Sequence, residues 1–491
     1  MHKLAQDLVV VGGGIAGLSA AYRGAKDLRA RGIEPRITLL EKNSYWGGKI
    51  LTERRDGFVI EGGPDTFIIT KPWALEICRE FGIRDRLHGT NPEKNDTYVL
   101  KDEQLKSLPD GLMMMIPSRF GPMITTDLLT WPEKARMGLD FFIPPRDEEG
   151  DESLGGFVTR RLGRAAYERL IEPLMSGIYA GDGDQLSLES TFPYLRDLEQ
   201  EHGGLIKGAL AVRRKRARRR KKRGNHDPAG IFRTPTTGLA EIVEAYHEAL
   251  EELGVSLELD AEVRGVSREG GLYRLDVTGQ EERVTRGLIL ATPAFAAGEV
   301  LEDLHPTLAD HLQGIPYVST ATVSLAYPQD QLPVSLDGRG YVIPRREGRE
   351  ALACTWTSSK FPHRAPEGYA LLRVFIGRAG QEQDWEGRED RLLEIAREEL
   401  AATLNIQHKP TLSRVFIWEK AMPQYNLGHP ERLEQIERSR EDLPGLGLAG
   451  NGYQGIGIPD CIHSGQLAAE QVISDLVQSE SIKAINQEVS P

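Results

Sequence analysis

Gly12, Gly14 and Gly17, with a carboxylate following at Glu41, have the residue types and spacing to hold a pyrophosphate and a ribose. The glycines stand in VVVGGGIAGLSAAY (9–22), and RITLLEK then leads to Glu41. Phosphates need donors with no side chain in the way. Gly12 permits a tight turn, Gly14 lets the backbone approach the phosphates, and Gly17 lets a helix pack closely on a strand. Asp7 to Val11 reads as that strand and Leu18 to Tyr22 as the helix, so loop amides and a helix N-terminus face the anion. Glu41 ends a second strand, where its carboxylate can accept from ribose hydroxyls. Two further glycine groups favour a flavin over a nicotinamide dinucleotide. EKNSYWGGKILT brings Gly47, Gly48 and Lys49, and EGGPDTF brings Gly62, Gly63 and Pro64. Far along the chain, 446–472 carries Gly450, Gly452, Gly455 and Gly457 before a helical stretch that can aim its N-terminus at the same ligand. FAD is long enough to need all three.

The elements around these residues point to an α/β chain: an FAD-binding Rossmann-like domain with an inserted mixed-sheet substrate domain and a helical domain. Leu239, Ile242, Val243, Tyr246, Leu250 and Leu253 recur at helical spacing, and GLILATP (287–293) reads as a buried strand ended by Pro293. TATVSLAY and ALLRVFIG, within 316–377, alternate as strands, whereas 109–196 reads as mostly helical. The expected division places 1–70, 231–300 and 434–478 in the FAD domain. It places 71–108, 197–230 and 301–433 in the substrate domain, 109–196 in the helical domain, and 479–491 in a loose tail.

Composition narrows the function classes. No run of about 18 apolar residues suggests a membrane span, and a strand starting at Asp7 leaves no room for a signal peptide. Cys78, Cys354 and Cys461 are too few and too scattered for a disulfide framework or a metal cluster, so a reducing cytoplasm and no metal are expected. The net charge is −12, yet RRKRARRRKKR (213–223) carries ten positive charges in eleven residues; without those ten the charge is −22. Such a block repels itself and is expected to be a solvated loop. A funnel for an acidic substrate or partner, an anionic membrane patch and a nucleic-acid contact remain open for it, the last disfavoured by the absence of interleaved aromatics.

EGGPDTF together with IEPLMSGIYAGDGDQLS (171–187), STFPYL (190–195), CTWTSSKFPHRAPEG (354–368), AMPQYNLGH (421–429) and GIGIPDCI (455–462) resembles the porphyrinogen oxidase branch of the amine-oxidase-type flavoproteins. The resemblance runs over almost the whole chain and is strongest to the soluble Gram-positive bacterial type, thought to act on coproporphyrinogen III. It implies an oxygen-dependent FAD enzyme of haem biosynthesis. Such an enzyme removes six electrons from the macrocycle in three flavin cycles, with a hydride passing from a meso carbon to flavin N5 and three hydrogen peroxide released. The flavin carries the chemistry, so no catalytic side chain is demanded. By the resemblance, FAD would be held by Gly12, Gly13, Gly14, Ile15, Ala16, Gly17, Glu41, Lys42, Lys49, Gly63, Pro64, Asp65 and Thr66, by Val263 on the adenine side and Trp418 beside the cofactor, and by Ile456, Gly457 and Ile458 near the flavin.

A flat apolar ring bearing carboxylates calls for apolar walls and cations. Lys71 is the best-placed cation, followed by Arg345, Arg346, Lys360, His363 and Arg364, with Ile178 as an apolar wall and Met113 to Met115 as a weaker one. A porphyrinogen, dioxygen and a transient contact with ferrochelatase or another haem-pathway enzyme are the partners such an enzyme would have; nucleic acid is not among them. The readings still open are protoporphyrinogen IX as substrate, another amine-oxidase-type flavoenzyme, and a non-catalytic escort protein that keeps the fold.

Overall fold

The computed structural model describes residues 6–109, 112–113, 116–117, 120–146, 150–223, 230–381 and 383–488. Met114 and Met115 lie outside these residues, and only the backbone of Met113 is described. Gln6–Val11 pairs in parallel with Ile37–Leu40 on one side and Arg283–Leu290 on the other. Ser256–Glu258 extends this sheet at one edge, Leu446–Leu448 lies parallel to Arg283–Leu290, and the antiparallel strands Leu272–Val277 and Val263–Glu269 complete it. The unbroken apolar run of the first strand is explained by burial on both faces. Leu8 and Val10 join a core shared with helices Ile15–Ala30, Ala240–Glu252 and Ile458–Glu488; Val9 and Val11 join the opposite core, with Ala294–Leu301 and Pro306–Gln313.

A second seven-stranded sheet runs in the order Leu412–Pro423, Tyr317–Pro328, Tyr369–Ile376, Ala351–Trp356, Gly340–Val342, Thr97–Lys101, Gln104–Ser107. Ala321, Val323, Leu325 and Tyr327 pack into a core that helix Glu389–Leu404 shares. Thr322, on the alternate face, reaches the Gly62 carbonyl. The alternation read in TATVSLAY therefore has a two-sided use.

The third layer is helical, with Leu154–Leu162, Glu172–Tyr179 and Pro193–His202 sharing a core around Phe157, Leu170 and Tyr425. Two expectations are corrected here. Residues 205–223, all expected in the substrate domain and from 213 onward as a solvated loop, form one helix, and Leu205, Ile206 and Ala209 are buried in the helical layer's core. The apolar start docks the helix, and Arg and Lys, good helix formers, carry it onward despite their repulsion. The second concerns the expected loose tail, whose residues up to Glu488 continue the helix begun at Ile458. No glycine or proline interrupts 479–488.

This last helix crosses Ile15–Ala30 at close range. A Cβ on Gly465 would lie 2.1 Å from the carbonyl oxygen of Ala16. In an ordinary helix Gly→Ala is favourable by about 1 kcal/mol. Here the sign should reverse: Gly465→Ala should cost roughly 1 to 3 kcal/mol as two backbones are forced apart. Denaturant unfolding of the two proteins checks this, and an equal or higher midpoint for the variant would contradict the close crossing.

Candidate functional site

The glycine loop builds its cradle from backbone. Gly12 has φ +106° and donates its amide to the Leu40 carbonyl at 2.7 Å, while a Cβ on Gly17 would lie 1.9 Å from the Gly12 carbonyl oxygen. Gly13 donates to Glu41 Oε2 at 2.6 Å, and Glu41 Oε1 accepts from the Asn43 amide and side chain. Glu41 is buried, so its carboxylate is already fixed in place, and Oε2 keeps a lone pair for a further donor. The first bond inside the Ile15–Ala30 helix runs from the Leu18 amide to the Gly14 carbonyl. The preceding amides therefore belong to the helix start, where an anion is favoured. A Cβ on Gly14 would meet nothing within 4 Å. Backbone donors, a helix N-terminus and open space at Gly14 together fit a pyrophosphate. Val263 lies near the Glu41 end, where the Ala261 amide donates to the Glu41 carbonyl at 2.9 Å; Lys42 is exposed beside it.

The second glycine group is held from the second sheet. The Gly62 carbonyl accepts from Thr322 Oγ1 at 2.8 Å, Arg373 Nη2 at 3.0 Å and Trp418 Nε1 at 2.9 Å, and Arg373 also donates to the Gly63 carbonyl. A Cβ on Gly63 would collide with the Lys49 carbonyl oxygen at 1.9 Å, so only glycine lets the two loops meet there. Asp65 accepts from Lys360 Nζ at 2.7 Å and Thr66 Oγ1 at 3.0 Å. Burial opposes its ionisation, but Lys360 and Arg373 outweigh burial and hold its pKa at about 2. Glu61 forms a buried pair with Arg364 at 2.8 Å and also accepts from Thr52 and the Leu239 amide. Burial still pushes its pKa up.

The third group closes on the other two. Gly450 donates to Ser464 Oγ, Tyr425 donates to the Asn451 carbonyl, and the chain then enters the helix at Ile458. Ile456 packs on the helical layer and Ile458 on the first sheet's core, with Gly457 between them. In the first turn of that helix Asp460 accepts from Lys71 at 2.5 Å, and Cys461 lies in the field of both Lys49 and Lys71. Lys49 donates to the Ala421 carbonyl; burial, partly offset by Cys461, lowers its pKa to about 8. Lys49, Lys71, Ala421 and Asp460, scattered along the sequence, thus share one region.

The expected substrate cations do not assemble into one rim. Lys360 and Arg364 are committed to Asp65 and Glu61. His363 stacks on His88 at 4.3 Å between ring centres, and burial with Arg364 and His88 lowers its pKa to about 3. Arg345 donates to the Ala379 and Gly181 carbonyls, and Arg346 pairs with Glu168. Arg345 pins SGIYAGD through the Gly181 carbonyl, and the Ala379 amide donates to the carbonyl of Ala180, which has φ +50°. Ile178 stands exposed on the helix leading into that turn, and Lys71 keeps about two-fifths of its side chain in solvent. Sequence reasoning missed Glu61, Arg373 and Gln424, which donates to the Tyr179 carbonyl. A charge inside the apolar strand ALLRVFIG was the signal available for Arg373.

The model of the family described as flavin containing amine oxidoreductase matches residues 15–473. Coproporphyrinogen III oxidase of Bacillus subtilis (strain 168) is 36% identical over 96% of this chain and 98% of its own length. The chloroplastic protoporphyrinogen oxidase of Nicotiana tabacum is 30% identical over 95% of this chain and 85% of its own. A crystal structure from Exiguobacterium sp. 255-15, named for protoporphyrinogen oxidase, superposes with a TM-score of 0.84 at 32% identity, covering 96% of this chain and 99% of that one.

Two outcomes test the geometry. Gly14→Val places its branches in open space, so the variant should fold and melt like the parent while its flavin-to-protein absorbance ratio falls toward zero; full flavin content would disprove the phosphate-loop role. Asp65, ionised more readily in the folded protein than in the unfolded chain, contributes stability that is complete above about pH 4 and lost as pH falls toward about 2. Asp65→Asn should therefore cost about 2 kcal/mol at neutral pH. Melting curves across that range should show the gap to wild type closing; a constant gap would refute the coupling to Lys360 and Arg373.

Proposed function

The chain belongs to the flavin containing amine oxidoreductase family, and from that premise we infer that it is an FAD-dependent coproporphyrinogen III oxidase of haem biosynthesis with dioxygen as acceptor. The observation that carries this is the 36% identity to a coproporphyrinogen III oxidase over nearly all of both chains. Bound FAD supplies a two-electron oxidation that dioxygen can reset. The protein's part is to hold, orient and shield. The amides from Gly12 to Gly17 would take the pyrophosphate, Glu41 a ribose, and Val263 would line the adenine side. Gly63 to Thr66, Lys42, Lys49, Trp418 and Ile456 to Ile458 would complete the cofactor's surroundings. Trp418 contributes by fixing the Gly62 peptide through its indole N–H.

Among the proposed substrate contacts, Lys71 has the strongest support, because it is half-exposed and sits at the third glycine group, beside Asp460 and Cys461, with Lys49 of the second nearby. A substrate carboxylate would share it with Asp460. Ile178 is the proposed apolar contact. Arg345, Arg346, Lys360 and Arg364 act through the backbone carbonyls and carboxylates they hold, and His363 through its stacking on His88. We further propose the discontinuous three-domain division, amended so that 205–223 belongs with the helices, and a cytoplasmic location. Among the described residues no helix is long and apolar enough to cross a membrane. A contact with ferrochelatase belongs to the same proposal.

Coproporphyrinogen carries four propionates and protoporphyrinogen two, so the former should show the higher kcat/KM when porphyrin fluorescence and peroxide are followed in parallel. Lys71→Ala should raise KM roughly fivefold with kcat little changed, as expected for a partly exposed charge-assisted contact. Faster turnover of protoporphyrinogen would replace the substrate assignment, and an unaltered KM in Lys71→Ala would remove that residue from the site.

A further inference from the structure

Glu172 is a buried carboxylate that neither the cofactor cradle nor the expected substrate cations involve. It opens the helix Glu172–Tyr179, which carries the exposed Ile178 and ends in the left-handed turn at Ala180. Such a backbone is unfavourable for alanine, so the turn needs bonds from outside itself. The Ala379 amide donates to the Ala180 carbonyl at 2.7 Å, Arg345 Nη2 to the Gly181 carbonyl at 3.3 Å, and Gln424 Nε2 to the Tyr179 carbonyl at 2.9 Å. Two of these donors belong to segments that Glu172 engages. Its Oε2 accepts from the Arg345 amide at 3.1 Å, and its charge acts on Arg378, the residue before Ala379.

Arg378 is 1% exposed and donates through Nη2 to the Ala351 carbonyl at 3.0 Å and the Ile343 carbonyl at 3.4 Å. Its Nε and Nη1 have no hydrogen-bond partner among the described residues, and the same is true of Glu172 Oε1 and of Ser176 Oγ, one helical turn further on. All of these atoms are buried. Where the Glu172–Tyr179 helix packs on the strand Ala351–Trp356, complementary donors and acceptors therefore stand without a direct bond, and the Glu172 charge supplies the attraction. Burial raises the Glu172 pKa; the Arg345 amide and the charges of Arg378 and Arg345 oppose the rise, and Asp182 adds to it. Tyr167, from the preceding turn, also lies in its field. Acidification thus removes this charge sooner than that of a surface glutamate.

We propose that Glu172 is a positioning residue of the oxidase, holding the SGIYAGD turn through Arg345 and Arg378 in the arrangement that accepts the macrocycle, a role that rests on this turn and its Ile178 forming part of the substrate site. Glu172 is buried beneath the turn and acts through it, so its effect falls on binding rather than on electron transfer to the flavin.

Glu172→Gln removes the charge while keeping the size and an acceptor for the Arg345 amide. In the FAD-loaded variant, hydrogen exchange of a peptide spanning 176–182 should be at least roughly threefold faster than in the parent, with exchange at 9–22 and flavin content unchanged. KM for coproporphyrinogen III should rise about fivefold with kcat little changed. Wild-type KM should climb toward that of the variant as pH falls from about 8 to about 5, because protonation then does to Glu172 what the substitution has already done. Arg378→Gln, which removes the opposite partner, should reproduce the exchange and KM changes and serves equally if Glu172→Gln does not fold. Unchanged exchange at 176–182, an unchanged KM, a KM ratio that stays constant with pH, or a loss confined to kcat or flavin content would overturn the proposal. A wild-type KM in Ile178→Ala beside a raised KM in Glu172→Gln would strike the Ile178 contact alone and leave Glu172 acting through the rest of the turn.

Discussion

Three donors converge on one carbonyl: Thr322, Arg373 and Trp418, from three adjacent strands of the second sheet, all bond the oxygen of Gly62. That oxygen lies in the segment that also meets the 47–49 loop, because Gly63 rests against the Lys49 carbonyl, and that loop joins the first glycine loop through the Gly47 amide, which donates to the Gly13 carbonyl at 2.8 Å. The two sheets are thereby registered through a peptide without a side chain. A Cβ at either glycine would break the arrangement, on Phe416 at Gly62 or on Lys49 at Gly63. Backbone contact and hydrogen bonds to this one peptide thus tie the cofactor cradle to the second sheet.

Buried charge surrounds this peptide. Glu61 with Arg364 and Asp65 with Lys360 flank it within five residues, and Arg373 lies in the field of both carboxylates. Such pairs add little net stability compared with apolar packing, but removing one partner leaves an uncompensated charge and costs several kcal/mol. Their consequence is positional: the segment 61–66 can sit in one register only. For a flavin enzyme that is the useful property, because the side chains have little chemistry of their own to perform and must mainly keep cofactor and substrate aligned.

The cradle was legible from Asp7 to Glu41 because its physics is local, with strand, glycine turn and helix adjacent in sequence. The family was legible from motifs along the whole chain. What the sequence hid depends on distance. Lys360 and Arg364 look like free cations in SSKFPHR, and only folding brings them to Asp65 and Glu61 about 300 residues away. Arg345 looked like a ligand for a carboxylate and instead satisfies backbone carbonyls around SGIYAGD. The basic run was misjudged for the opposite reason: its mutual repulsion was visible, but the apolar Leu205, Ile206 and Ala209 that nucleate its helix lie upstream of it.

The most direct measurement is an anaerobic titration of the FAD-loaded protein with coproporphyrinogen III, following the flavin absorbance. A six-electron donor and a two-electron acceptor require complete bleaching at one third of an equivalent, with porphyrin absorbance rising together and flavin colour returning on admission of air. A flavin that stays oxidised in excess coproporphyrinogen III would contradict the account.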